Sequence, residues 1–210
     1  MFRLCGVLFL LMFAGFAAPA SAMDFHLLTM GNGQVAVVAT GVIKSGDVRR
    51  LTVALNRATP GRDGTKLLVL SSPGGDVGQA GQMSEIMDQV GVSTLVPAGA
   101  MCGSACASIL FVSGKYRTIE KGGVLAIHSC SDARTGQQME FCNLIISAHA
   151  QHEGASGIAM MALQQVAGTH NIFVLGPDAA ACFGFTRKVG GPVKATAPCI
   201  QAAMKQARRR

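Results

Sequence analysis

The segment that most constrains this chain is the apolar run Lys66-Leu67-Leu68-Val69-Leu70-Ser71, which ends abruptly in Ser72-Pro73-Gly74-Gly75. Behind it, Val77, Ala80, Met83, Ile86, Met87 and Val90 recur at helical spacing. A short run without alternation reads as a strand buried on both faces. The glycine turn and amphipathic helix that follow make it one strand-turn-helix unit. The pattern recurs in outline with Val92 to Val96 as strand, Pro97-Ala98-Gly99-Ala100 as turn and Gly103 to Val112 as helix. Upstream, Val35 to Thr40 reads as a buried strand and Asp47 to Asn56 as a helix, with a turn at Pro60-Gly61-Arg62-Asp63-Gly64. Tandem units of this kind predict an α/β protein. Gly123 to His128 reads as a further strand ending on a histidine, Leu144 to Ala167 as a long helical stretch, Pro177 to Cys182 as a short helix, and Phe185 to Val189 as a last strand. No linker or shift in composition divides residues 23 to 200, which read as one domain.

The start of the chain is a different population. Arg3 precedes an uncharged run from Leu4 to Ala18, followed by Pro19 and the small residues Ala20-Ser21-Ala22. That is the layout of a cleaved secretory signal over residues 1 to 22, with a mature start at Met23. It predicts a periplasmic or secreted protein, since no later stretch approaches the ~20 apolar residues of a membrane span. Of the seven cysteines, Cys5 falls in the signal. Cys102, Cys106, Cys130, Cys142, Cys182 and Cys199 remain, an even set suited to disulfides in an oxidising compartment. The sequence-near pairs Cys130 with Cys142 and Cys182 with Cys199 are favoured. Cys102 and Cys106 fall within bonding distance if they share a helix face, an unusual arrangement for one helix. No C-x2-C pair or matching histidine spacing supports zinc, so no metal or other cofactor is expected.

The formal charge of +7 overstates the basicity of the folded part. Arg3 leaves with the signal, and Lys205, Arg208, Arg209 and Arg210 belong to a tail over residues 201 to 210. With few aromatics and no basic face, a nucleic-acid platform is excluded, and the tail reads as a solubility element or a contact for anionic surfaces.

Three features converge on acyl transfer. Gly74 and Gly75 permit a backbone in which amide N–H groups point at a bound oxygen. Ser104 lies among small residues in Cys102-Gly103-Ser104-Ala105-Cys106, and His128 stands at a strand end. Each has a structural explanation alone: a turn, a helix cap, a polar core group.

Their order is more specific. Leu70 to Val77, the serine turn at Ser104, Gly114-Lys115-Tyr116-Arg117 and Ala126-Ile127-His128 together resemble the proteolytic subunit of Clp protease, in the Clp/crotonase superfamily, over about residues 35 to 190. The resemblance implies a Clp/crotonase-like spiral of repeated strand-turn-helix units. It implies Ser104 as nucleophile, His128 as base, and the amides of Gly75 and Ala105 as the oxyanion hole. It places Asn171 where the family has an acid, since Phe173 to Asp178 supplies the local match. An amide oxygen accepts a hydrogen bond from imidazole but carries no charge. Asp178 is the nearest alternative acid, better suited to a helix cap, and His170 has no assigned role.

The resemblance further implies that Leu144 to Ala167 is the handle segment through which subunits associate, making a homo-oligomer an expectation. His149, His152 and Glu153 on that segment read as a solvated face rather than a metal site. No ATPase partner is expected outside the cytoplasm. The function so implied is an exported, ATP-independent serine peptidase acting on peptide or protein substrates. The alternative is a catalytically weak or inactive oligomeric binding module, motivated by Asn171. Acyl-CoA chemistry of the crotonase kind does not fit an exported chain.

Overall fold

A computed structural model describes residues 22–132 and 134–191. The expected signal up to residue 21, Cys199 and the basic tail lie outside the described residues. The fold is mixed α/β, with two sheets. In the five-stranded sheet the order is β1 (Asp24–Thr29), β2 (Val35–Thr40), β3 (Lys66–Ser71), β4 (Val92–Val96) and β6 (Arg117–Ile119). β1 is antiparallel to β2 and the other pairs are parallel. The three-stranded sheet has β5 (Met101–Gly103) beside β7 (Val124–Ile127) in parallel, and β7 beside β8 (Phe173–Leu175) antiparallel. A parallel bridge between Ser72 and Cys102 joins the turn after β3 to β5.

The helices begin and end where their terminal backbone groups find partners. α1 (Asp47–Arg57) follows Gly46, and α2 (Val77–Val90) is capped by Asp76, whose carboxylate accepts from Gln79 N at 2.8 Å. α2 stops at Gly91, which takes a left-handed φ of 69°. It buries Ala80, Met83 and Met87 and packs against α1 and against a π-helix over Cys106–Phe111. The stretch from Leu144 to Ala167 is two helices, α3 (Glu140–His152) and α4 (Gly157–Ala167). Gly154, with φ of 70°, ends the first, and the Ser156 hydroxyl caps the second by accepting from Ala159 N at 3.2 Å. α5 (Pro177–Cys182) carries proline in its first turn.

Two expected elements take another form. Gly103 to Val112 is the end of β5 followed by the π-helix, and Ser104 separates the two with a φ of 51° that no regular helix accommodates. Phe185 to Val189 is not a strand. Gly184 and Gly190 turn the chain on either side, and only Arg187 bridges to Arg117. Phe185 is instead fully buried, and its carbonyl accepts from Arg117 Nε at 2.7 Å.

Arg117 is among the largest fully buried side chains and, among the described residues, forms no direct salt bridge, the Glu153 carboxylate acting on it only at longer range. Its guanidinium also donates to the carbonyls of Val112, Gly114, Glu153 and Gly154, at 2.9, 3.2, 2.9 and 3.2 Å. One planar cation thus ties together β6, the end of the π-helix, the turn after α3 and the chain beyond α5. Burial pushes its pKa down to about 10, with the nearby Arg187 adding to the effect.

The cysteines among the described residues are paired. Cys130 is bonded to Cys142, as the spacing predicts, and Cys102 is bonded to Cys106 across 5.3 Å between Cα atoms. This second bond links a strand to a helix start, not two positions on one helix. Cys182 is also disulfide-bonded.

Candidate functional site

Ser104 sits in a turn built almost wholly from buried atoms. From Cys102 to Gly114 every residue is buried except Ser104, which is partly exposed. It is also the one non-glycine residue with positive φ among the described residues. A serine in that region costs about 1–3 kcal/mol and persists only where its surroundings over-determine it. Here they do. The Ser104 amide donates to Ala126 O at 2.8 Å, and its carbonyl accepts from both Ser108 N and Ser108 Oγ, at 2.9 and 2.8 Å. The Cys102–Cys106 bond closes the turn covalently around it. A strained residue projecting from a strand end into the start of a π-helix is a pattern met at functional sites.

The glycine turn lies against this elbow. Ser72 N donates to Met101 O at 2.9 Å and Gly103 N donates to Ser72 O at 2.8 Å, so the two segments are laced together. Gly74 then passes so close that a Cβ there would stand 2.5 Å from Gly103 O, 2.7 Å from Ser104 Cβ and 2.9 Å from Ala105 N. Only glycine fits, on both contact and its φ of 99°. Gly75 is held from the other side: Ile43 N donates to Gly74 O at 2.8 Å and Asp76 N to Ile43 O at 3.0 Å. With those flanking groups turned to Ile43, the Gly75 amide faces away from it. Neither the Gly75 nor the Ala105 amide donates to an acceptor among the described residues.

His128 follows β7. Gly103 pairs with Ala126 in parallel register, so Ser104 and His128 leave neighbouring strands, about 4.8 Å apart, at the same end. His128 is partly buried, and its Nδ1 lies 2.7 Å from the carbonyl oxygen of Ser129. Ser129 is fully buried. Its amide donates to Gly168 O at 2.8 Å, and its hydroxyl donates to Gln164 O at 2.7 Å and accepts from Asn143 Nδ2 at 3.2 Å. Asn143 Oδ1 in turn accepts from Cys130 N at 2.8 Å.

Asn171 precedes β8, whose Phe173 pairs with Ile127, so its backbone reaches the same end of the sheet. Its side chain is exposed and makes no hydrogen bond to a described residue, and His128 Nδ1 is turned to Ser129. Asp178 is exposed in the first turn of α5, as expected, but it makes no capping hydrogen bond, the N-cap being Gly176; His170 is exposed.

His149 and Glu153 belong to a separate cluster. His149 Nε2 lies 2.9 Å from Ser113 Oγ, its Nδ1 is 3.8 Å from Glu153 Oε1, and the Asp88 carboxylate neighbours Glu153. Burial, followed by the neighbouring Asp88 carboxylate, raises the Glu153 pKa to about 7. Burial likewise raises Asp88 and lowers His149. Ser113 Oγ donates to Ile109 O at 2.8 Å and is buried, so it is committed to the fold. Sequence reading alone did not find Ser113, Ser129, Asn143 or Gln164, because their partners are main-chain groups and side chains distant in sequence.

No protein-family model matches the chain, and no curated protein matches it. Among solved structures the chain is similar to one described as "1510-N membrane-bound stomatin-specific protease", in a mutant form. That likeness has a TM-score of 0.56 at 14% identity, covering 71% of this chain and 75% of that one. It shows a shared fold, mixed α/β and found in a protease.

Proposed function

We propose that this chain is an exported serine peptidase that works without ATP, in which Ser104 is the nucleophile and His128 the general base. The supporting observation is the elbow itself: a strained, partly exposed serine in an otherwise buried run, abutted by Gly74 and leaving the sheet beside His128. The fold shared with a protease supports the same reading, and a Clp/crotonase-like spiral is the architecture proposed for residues 23 to 200. Export is supported by the disulfides. Among the described residues, no helix is long and apolar enough to cross a membrane.

In this reading Ser104 Oγ attacks the carbonyl carbon of a peptide bond while its proton passes to His128 Nε2. The amides of Gly75 and Ala105, without other acceptors, donate to the oxyanion that forms, an effect of about 3 kcal/mol per donor. As the tetrahedral species collapses, the leaving amine takes the proton from His128. Water, deprotonated by the same imidazole, then hydrolyses the ester to Ser104 and restores the enzyme. A fluorophosphonate probe is expected to label the wild-type protein and not Ser104→Ala. Absence of labelling in the folded wild type would overturn the peptidase reading.

A second reading is supported by the exposed Asn171 side chain, which reaches no partner among the described residues. It is a binding module in which Ser104→Ala leaves peptide binding unchanged. Self-association suits either reading: Phe141, Leu144 and Ile145 on α3 and Ile158 and Val166 on α4 are half exposed or more. An apolar face of that kind marks an interaction surface, here assigned to a second copy of the chain. Sedimentation velocity on wild type and Phe141→Glu/Ile145→Glu tests it; equal monomer fractions would remove the assignment.

A further inference from the structure

The third group of the site carries no charge and belongs to the main chain. We infer that Asn143 is a positioning residue for His128, acting through the Ser129–Cys130 peptide, whose carbonyl takes the place at Nδ1 that a carboxylate holds in other serine hydrolases. The inference rests on the reading of His128 as the base.

The geometry involves one peptide plane. Its C=O, from Ser129, lies 2.7 Å from His128 Nδ1. A carbonyl only accepts, so Nδ1 carries the hydrogen, and in the neutral imidazole the lone pair falls on Nε2, the atom that must accept the Ser104 proton. The N–H of the same plane, from Cys130, donates to Asn143 Oδ1 at 2.8 Å. Asn143 thus fixes the orientation of the carbonyl that sets the tautomer, and an N–H bond on one side of a peptide strengthens the acceptor on the other.

Asn143 has no freedom to turn over. Its side chain is fully buried, and its Nδ2 donates to Ser129 Oγ at 3.2 Å, while that hydroxyl spends its own hydrogen on Gln164 O at 2.7 Å. Exchanging the amide oxygen and nitrogen would set N–H against the Cys130 N–H. The Cys130–Cys142 bond ties the same plane to the residue next to Asn143, so α3 holds it by a covalent and a hydrogen-bonded link.

The test reads the imidazole directly. Nitrogen-15 NMR of the labelled protein, with the His128 resonances assigned by comparison with His128→Gln, is expected to show the neutral ring with hydrogen on Nδ1. Asn143→Leu should mix the tautomers and slow fluorophosphonate labelling of Ser104 by about 10-fold or more. Asn143→Asp keeps an acceptor oxygen for the Cys130 N–H in a side chain of the same shape and is expected to keep the tautomer; a mixed tautomer in that variant would overturn the inference even where Asn143→Leu does not fold. A wild-type ring with hydrogen on Nε2, or a folded Asn143→Leu with unchanged tautomer, would overturn it as well. Failure of Ser104 to label, with the tautomer as expected, would count against the peptidase reading and leave the role of Asn143 standing.

Discussion

Gly74→Ala adds one carbon to the most crowded point of the candidate site. An alanine Cβ there would stand 2.5 Å from Gly103 O and 2.7 Å from Ser104 Cβ, where an ordinary contact begins at 3.4 Å. The elbow and the glycine turn must therefore separate by about 0.7–0.9 Å, a displacement in the range that costs about 100-fold in a positioned reaction. Keeping φ at 99° adds about 1–2 kcal/mol of backbone strain. Both segments are laced by hydrogen bonds between Ser72, Met101 and Gly103, so the separation falls on Ser104 and on the Ala105 amide. Labelling of Ser104 by a fluorophosphonate should slow by 10- to 100-fold in a variant that still unfolds cooperatively in urea, with stability lower by about 2–4 kcal/mol. Gly81→Ala, whose added carbon meets nothing within 4 Å, is the control: it should leave labelling unchanged and, as an alanine inside α2, raise stability by about 1 kcal/mol. If Gly74→Ala labels within 2-fold of wild type, the close approach has no bearing on reactivity.

The Cys102–Cys106 bond constrains the unfolded chain as well as the elbow. Cys102→Ala/Cys106→Ala should lower the urea midpoint by the equivalent of about 2 kcal/mol and slow labelling of Ser104; unchanged values in both would refute the clamp. Arg117→Met leaves five carbonyls without their buried donor and should cost about 3–5 kcal/mol, a fall in Tm of roughly 10 °C by calorimetry. A loss under 1 kcal/mol would show that water replaces the guanidinium. Glu153 holds its proton more tightly in the folded state, so it lowers stability as pH rises from about 4.5 to about 7, and the loss persists above that. Asp88 acts in the same direction, while His149, depressed by burial, acts against both at acid pH. After discounting for solvent screening, Glu153→Gln should be more stable than wild type by about 1 kcal/mol at pH 8 and equal to it at pH 4. Parallel urea stability curves across that range would remove Glu153 as the cause.

Much of the fold was legible in the sequence because its signals are local. β2, β3, α2, β4 and α5 fall where hydrophobic period and turn chemistry place them, and Asp76 and Gly91 mark the ends of α2. β5, β6 and β8, each a three-residue strand, were not read. A run that short has no period, and its pairing is set by tertiary contacts. The split of α3 from α4 was visible in principle at Gly154 and Ser156, but the apolar residues on both sides share one helical rhythm. The same division holds at the site. Ser104, Gly74 and His128 sit in turns that announce themselves by composition, whereas the partner of His128 is a main-chain carbonyl, which every residue possesses and no sequence can mark.

The two halves of the site are anchored by different means. The Ser104 half grows out of a buried run closed by a disulfide and pressed by the glycine turn, so its geometry is inseparable from the core. The His128 half ends a four-residue strand whose outer neighbour, β8, is mostly exposed, and it is steadied by Asn143, Ser129 and Gln164 beneath it. Substitutions around Ser104 should therefore lower stability and reactivity together. Substitutions in the Asn143 network also cost stability, because Asn143, Ser129 and Gln164 are fully buried, but they reach reactivity through the orientation of one peptide plane rather than through core packing. Of the two halves, the histidine side is the one whose reactivity depends on hydrogen-bond orientation more than on packing.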